Sequence, residues 1–153
     1  MAIDSHVHFW KYDKIGYAWI DRTMKTLQKN YLPPDIEQTL KRNGVEGCVA
    51  VQAVPAEVET HFLVELSRTY PFILGVVGWT DLQSPDAEER LQYFSHYPRI
   101  KGFRHIVQAE PDDFLYNEDF RRGIGLLKTY NYTYDLLIYP RQLRAAINFV
   151  SEF

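Results

Sequence analysis

Apolar residues come in short, nearly unbroken runs at residues 47–53, 73–79 and 100–106, with a fourth at 134–139 that is interrupted by Asp135. Runs of this length predict strands buried on both faces, as in parallel sheets. Between them the spacing turns helical, and residues 34–44, 57–70, 85–96 and 117–130 read as helices. A further helix begins near Pro140 and is still running at Phe153. Pro34 lies in the first turn of its helix and Asn43-Gly44 closes it. The opening strand holds Asp4-Ser5-His6-Val7-His8, and residues 10 to about 33 then form a segment too long for a simple connection, which marks it as a functional loop.

Strict alternation of strand and helix predicts the α/β class with a parallel sheet. Five strands suit either an open doubly wound sheet or part of a (β/α)8 TIM barrel. The barrel is favoured because polar residues gather at the C-terminal ends of several strands and no glycine-rich phosphate loop follows the first. A full barrel takes about 250 residues, and the last helix shows no stop signal. Residues 1–153 are therefore expected to form a single domain, the N-terminal portion of a barrel, covering about the first five β/α units.

Composition narrows the function classes. At 46% hydrophobic and 24% charged residues the chain should fold around a core. A net charge of -3 offers no basic surface for nucleic acid, and no apolar run approaches the roughly 20 residues needed to span a bilayer. Cys48, the single cysteine, has apolar neighbours and reads as a buried thiol. The expectation is a soluble, cytoplasmic protein without nucleic-acid or membrane partners. The 11 tyrosines fit an aromatic pocket or a subunit contact, and equally a plain aromatic core.

The chemistry concentrates in His6 and His8. Alternation along a strand turns both imidazoles to one face, with Val7 opposite. The pair suits a divalent metal, zinc first by ligand type; the alternative is a pair of hydrogen-bonded structural histidines. Asp4 has the same parity and is either an orienting group or a buried turn carboxylate. Gln52 and Trp79 end their strands, where a barrel builds its pocket. Arg104 offers a planar fork of donors to a carboxylate or to sugar hydroxyls, or else pairs with an acid such as Asp135. Gly102 shares its face and leaves room beneath it. His105 is a second donor, and Tyr139 reaches the end of the last strand. Glu59 either has a site role or complements the helix dipole.

Ile3-Asp4-Ser5-His6-Val7-His8-Phe9-Trp10, Tyr17-Ala18-Trp19-Ile20, Val51-Gln52-Ala53 with Glu59-Thr60, Gly75-Val76-Val77-Gly78-Trp79-Thr80-Asp81-Leu82, Lys101-Gly102-Phe103-Arg104-His105 and Tyr134-Asp135-Leu136-Leu137 together resemble the amidohydrolase-2 family, in the branch of sugar lactonases. The resemblance covers the whole chain in order. It implies a distorted (β/α)8 barrel with its site at the C-terminal strand ends, and hydrolysis of a sugar lactone or related cyclic ester. His6, His8 and His105 would be catalytic, with His6 and His8 as metal ligands or, in metal-independent members, direct substrate contacts. Gln52, Trp79, Arg104 and Tyr139 would bind the small-molecule substrate, Trp79 by packing on its ring. The family's later histidine and its general-base aspartate fall on strands beyond residue 153. Two other readings stand beside this one: a superfamily decarboxylase of an aromatic carboxylic acid, and a non-catalytic fragment that self-associates, as a homo-oligomer or with a complementary piece, through open sheet edges.

Overall fold

In a computed structural model, which describes residues 2–153, five strands run parallel in the order of the chain. They are β1 (Ala2–Val7), β2 (Val45–Val51), β3 (Ile73–Gly78), β4 (Ile100–His105) and β5 (Thr133–Leu136). The connections carry α1 (Pro33–Arg42), α2 (Glu57–Thr69), α3 (Ala87–Phe94) and α4 (Glu118–Leu127), and α5 (Leu143–Val150) follows β5. Each strand pairs only with its neighbours in sequence, and the sheet curls into half a barrel with β1 and β5 at its edges.

Alternation decides which face meets the helices. Val7, Cys48, Ala50, Val76 and Phe103 point into a core shared with Leu40, Leu63, Leu91, Phe94, Ile124 and Phe149 of the helices. Burying a side chain of the Val, Leu, Ile or Phe kind stabilises by roughly 1.5–3 kcal/mol, so this layer holds the sheet in shape. Cys48 is fully buried, and burial pushes its thiol up to about 11, which leaves it inert. The turn after α1 needs Gly44, whose φ of 68° lies in the left-handed region.

Each strand ends earlier than the sequence expectation, β2 at Val51 so that Gln52 stands just past it. β1 stops at Val7, so His8 stands just past it, and β5 stops at Leu136. Tyr139 is thus not on a strand: Pro140 opens a short 3-10 turn (Pro140–Gln142), and the Tyr139 backbone N–H donates to Gln142 Oε1 at 2.9 Å. The long loop after β1 is pinned rather than loose. Trp10 and Tyr31 form an antiparallel bridge, Trp10 Nε1 donates to the Lys29 carbonyl at 2.8 Å, and Trp10, Tyr17, Ile20 and Ala53 make a second small core. Among the described residues no helix is long and apolar enough to cross a membrane.

Gly102 serves a different purpose from the one its position beside Arg104 suggests. A methyl group there would stand 2.5 Å from the Thr133 carbonyl oxygen, so the glycine lets β4 and β5 approach. Gly102→Ala should therefore lower stability by about 1–3 kcal/mol, read as an earlier urea midpoint; an unchanged midpoint would mean that the two strands separate freely.

Candidate functional site

The C-terminal ends of β1, β2, β4 and β5 open onto a cleft of about 680 Å³, within the range of small-molecule sites. His6 and His8 come from β1 and its end, Ala53 and Pro55 from the loop after β2, and Arg104, His105 and Glu110 from β4 and its loop. Leu137 and Tyr139 come from the segment after β5, and Trp19 and Met24 from the long loop. Five of the residues singled out in the sequence, His6, His8, Arg104, His105 and Tyr139, thus share one cleft.

Hydrogen bonds settle the state of the histidine pair. His8 Nδ1 lies 2.8 Å from the Val51 carbonyl oxygen, which can only accept, so Nδ1 carries the proton. Burial first, and then the charge of Arg104, holds the His8 imidazole down at about 4, so it is neutral and its Nε2 is a bare lone pair. His6 Nε2 accepts from Arg104 Nη1 at 3.2 Å and is also a lone pair, and burial and Arg104 lower this imidazole too. The two Nε2 atoms are 3.1 Å apart. Two facing lone pairs repel, and their convergence is favourable only around a cation.

Arg104 supplies positive charge at that point. It is buried, at 5% exposure, its Nη2 donates to the carbonyl and, at 3.0 Å, to Oε1 of Gln52, and its Nε has no partner among the described residues. Asp135 stands opposite it in the β4–β5 register, yet the two form no hydrogen bond or ion pair, so the carboxylate steadies the cation through space. Burial lowers the guanidinium, and Asp135 and Glu59 oppose that shift.

Gln52 and Trp79 are placed behind the cleft rather than in its wall. Gln52 is fully buried, with its oxygen on Arg104 and its Nε2 donating to the Arg104 carbonyl at 3.1 Å. The sequence position at a strand end is right for a pocket, but the buried cation claims the amide. Trp79 donates its Nε1–H to His105 Nδ1 at 3.2 Å, and its backbone is held by Thr60 at 2.8 Å in both directions. Asp4 Oδ1 accepts from the His6 backbone N–H at 3.1 Å and does not touch the ring. Glu59 Oε2 accepts from the Ala53 and Val54 backbone N–H groups at 2.8 and 2.9 Å, and Oε1 accepts from the Tyr17 hydroxyl at 3.2 Å. Burial raises its carboxyl, and these bonds oppose the rise.

Met24 and Glu110 carry no sequence signal of their own. Met24 lies in a loop whose length alone pointed to function, whereas Trp19 belongs to the segment Tyr17-Ala18-Trp19-Ile20 that carries the resemblance, and Glu110 faces the cleft from a loop of ordinary composition. Gln142, fully buried, donates to the carbonyls of Val107 at 2.7 Å and Glu110 at 3.1 Å, tying the loop after β4 to the segment after β5.

The imidazole pair fits two ligands of a metal site. Both nitrogens are neutral lone-pair donors of the right type, and zinc–nitrogen bonds of about 2.0–2.1 Å would let one ion span them. Among the described residues no group of three or more His, Cys, Asp or Glu gathers around a single point.

A polar cleft at the carboxyl ends of parallel β/α units, with imidazoles and a buried guanidinium on its floor, is where a β/α barrel builds its site. The chain belongs to the amidohydrolase family, whose model matches residues 3–153. It is 39% identical over 145 residues to an L-fucono-1,5-lactonase of Burkholderia multivorans (strain ATCC 17616 / 249), covering 94% of this chain and 49% of that protein. An L-fucono-1,5-lactonase of Burkholderia ambifaria is 30% identical over 152 residues, covering 99% and 52%. A crystal structure of a Burkholderia multivorans amidohydrolase with bound zinc superimposes with a TM-score of 0.95 at 37% identity, over 99% of this chain and 54% of that one. The chain spans about half the length of the curated relatives it matches.

The neutral His8 makes stability depend on pH. Above pH 6.5 the imidazole is neutral whether the chain is folded or not, whereas between 6.5 and about 4 only the unfolded chain takes up the proton. Stability should fall as the pH drops through that window and level off below it. Urea unfolding from pH 7.5 to 4.5 should show this slope, reduced in His8→Gln; an identical slope in the variant would remove His8 from the account.

Proposed function

We propose that this chain forms the N-terminal half of the catalytic domain of a cytoplasmic lactonase that opens a sugar 1,5-lactone by attack of water. The carrying observation is the convergence of two neutral imidazole lone pairs beside a buried guanidinium, on the floor of a cleft with room for a monosaccharide lactone. Its relatives named L-fucono-1,5-lactonase support a lactone over an aromatic carboxylic acid as substrate. The single, buried Cys48 suits a reducing compartment.

His6 and His8 would hold a divalent metal, and zinc is supported by the zinc-bound neighbour. Such an ion would act as a Lewis acid on the lactone carbonyl. The chain's own residues do the rest. Arg104 places a fixed positive charge beneath the carbonyl, where negative charge develops in the transition state, and burial strengthens its field. Gln52 keeps that guanidinium from turning away. His105 and Tyr139 border the lactone ring, and Trp79 fixes the His105 tautomer from behind. Trp19 and Met24 cover the cleft from the long loop and limit water around the ring.

A second reading concerns the chain by itself. Leu143, Ile147 and Val150 expose 53%, 60% and 59% of their surface along one side of α5, and β1 and β5 are open edges. Such a surface favours association into homo-oligomers.

The full-length protein should hydrolyse L-fucono-1,5-lactone, followed by proton release, and His6→Ala/His8→Ala should lose at least a hundredfold in kcat/KM, in line with the loss of a metal or its ligands. Wild-type turnover in the double variant would sink the assignment. In sedimentation, residues 1–153 alone should run larger than an 18.0 kDa monomer, and Ile147→Glu should return them to monomer; a monomer at every concentration would exclude the second reading.

A further inference from the structure

Glu110 is half-buried in the wall of the cleft and has one carboxylate oxygen in use. Trp79 Nε1–H is a donor only, so His105 Nδ1 must accept from it, and the His105 proton sits on Nε2. That proton is donated to Glu110 Oε1 at 2.8 Å. His105 is held in plane by Phe114, stacked at 5.1 Å and 14°. The Glu110 backbone is fixed as well, since its carbonyl accepts from the buried Gln142 at 3.1 Å. The result is a carboxylate locked by an indole–imidazole chain on one oxygen, while Oε2 has no protein partner among the described residues.

A carboxylate can only accept, and among the described residues lining the cleft Glu110 is the one acid, beside the cation Arg104, the imidazoles and the uncharged polar groups of Gln108 and Tyr139. The ester carbonyl of a lactone is itself an acceptor and gains nothing from Glu110. A ring hydroxyl is a donor and does. We infer that Glu110 is the residue that distinguishes a polyhydroxylated lactone from a plain cyclic ester, with Oε2 accepting a hydrogen bond from a ring hydroxyl while His105 and Trp79 keep it in position. This rests on the lactone reading of the site and adds to it the source of its sugar selectivity. A site built to bond a hydroxyl rejects the analogue lacking it, because its own polar group is left unpaired.

The test is calorimetric binding of two stable lactams to the full-length protein: L-fucono-δ-lactam, which carries the hydroxyls, and δ-valerolactam, which does not. Wild type should prefer the hydroxylated lactam. Glu110→Ala should cut that preference about ten- to hundredfold by weakening the hydroxylated lactam alone, and Glu110→Gln, which keeps an acceptor oxygen, should recover part of it. Equal losses for both lactams, or no change in either, would overturn the role of Glu110 and leave the lactone reading standing. Failure of wild type to bind either lactam would overturn the lactone reading and this inference with it.

Discussion

A guanidinium ion removed from water is the constraint around which this structure is arranged. Taking Arg104 out of solvent carries a desolvation cost of several kcal/mol unless its donors and charge are answered. Gln52 answers with two oxygens, and its own amide N–H returns to the Arg104 carbonyl, so the two residues close on each other across the sheet. Its Nη1 finds a lone pair on His6, and Nε is left without a partner among the described residues. Asp135 and Glu59 balance the charge without touching it. One cation thereby ties β1, β2 and β4 together at the level of the cleft floor, and it adds to the burial that lowers both imidazoles.

The start of α2 performs a related task for the loops. Glu59 gathers two backbone N–H groups after β2 and the hydroxyl of Tyr17, and Thr60 brackets the backbone of Trp79 after β3. Two adjacent residues on a single helical turn thus position the ends of two strands and anchor the long loop. Glu59, in the first turn of α2, also complements the helix dipole.

Much of this was legible in the chain. The strands at 73–79 and 100–106 and the helix at 57–70 agree with the structure to within a residue at either end, because buried parallel strands and amphipathic helices leave strong periodic signatures. The histidine pair, Arg104 and His105 were legible because a strand end in a barrel faces the cleft. Gln52 and Trp79 followed the same rule but serve other side chains, since a buried cation and an imidazole needing a fixed tautomer take precedence. Glu110 and Gln142 were illegible for a different reason. Their partners lie in the loop after β4 and the turn after β5, and neither loop has a period that ties it to the other.

The uninterrupted strand order has a consequence for how the molecule comes into being. Because each strand pairs with the one made just before it, every β/α unit leaving the ribosome finds a finished edge on which to dock, and no strand has to be inserted between two others. The cleft does not share this convenience. His6 is synthesised 98 residues before the guanidinium that faces it, so the scaffold is assembled step by step while the floor of the cleft is joined only when the fourth strand is in place.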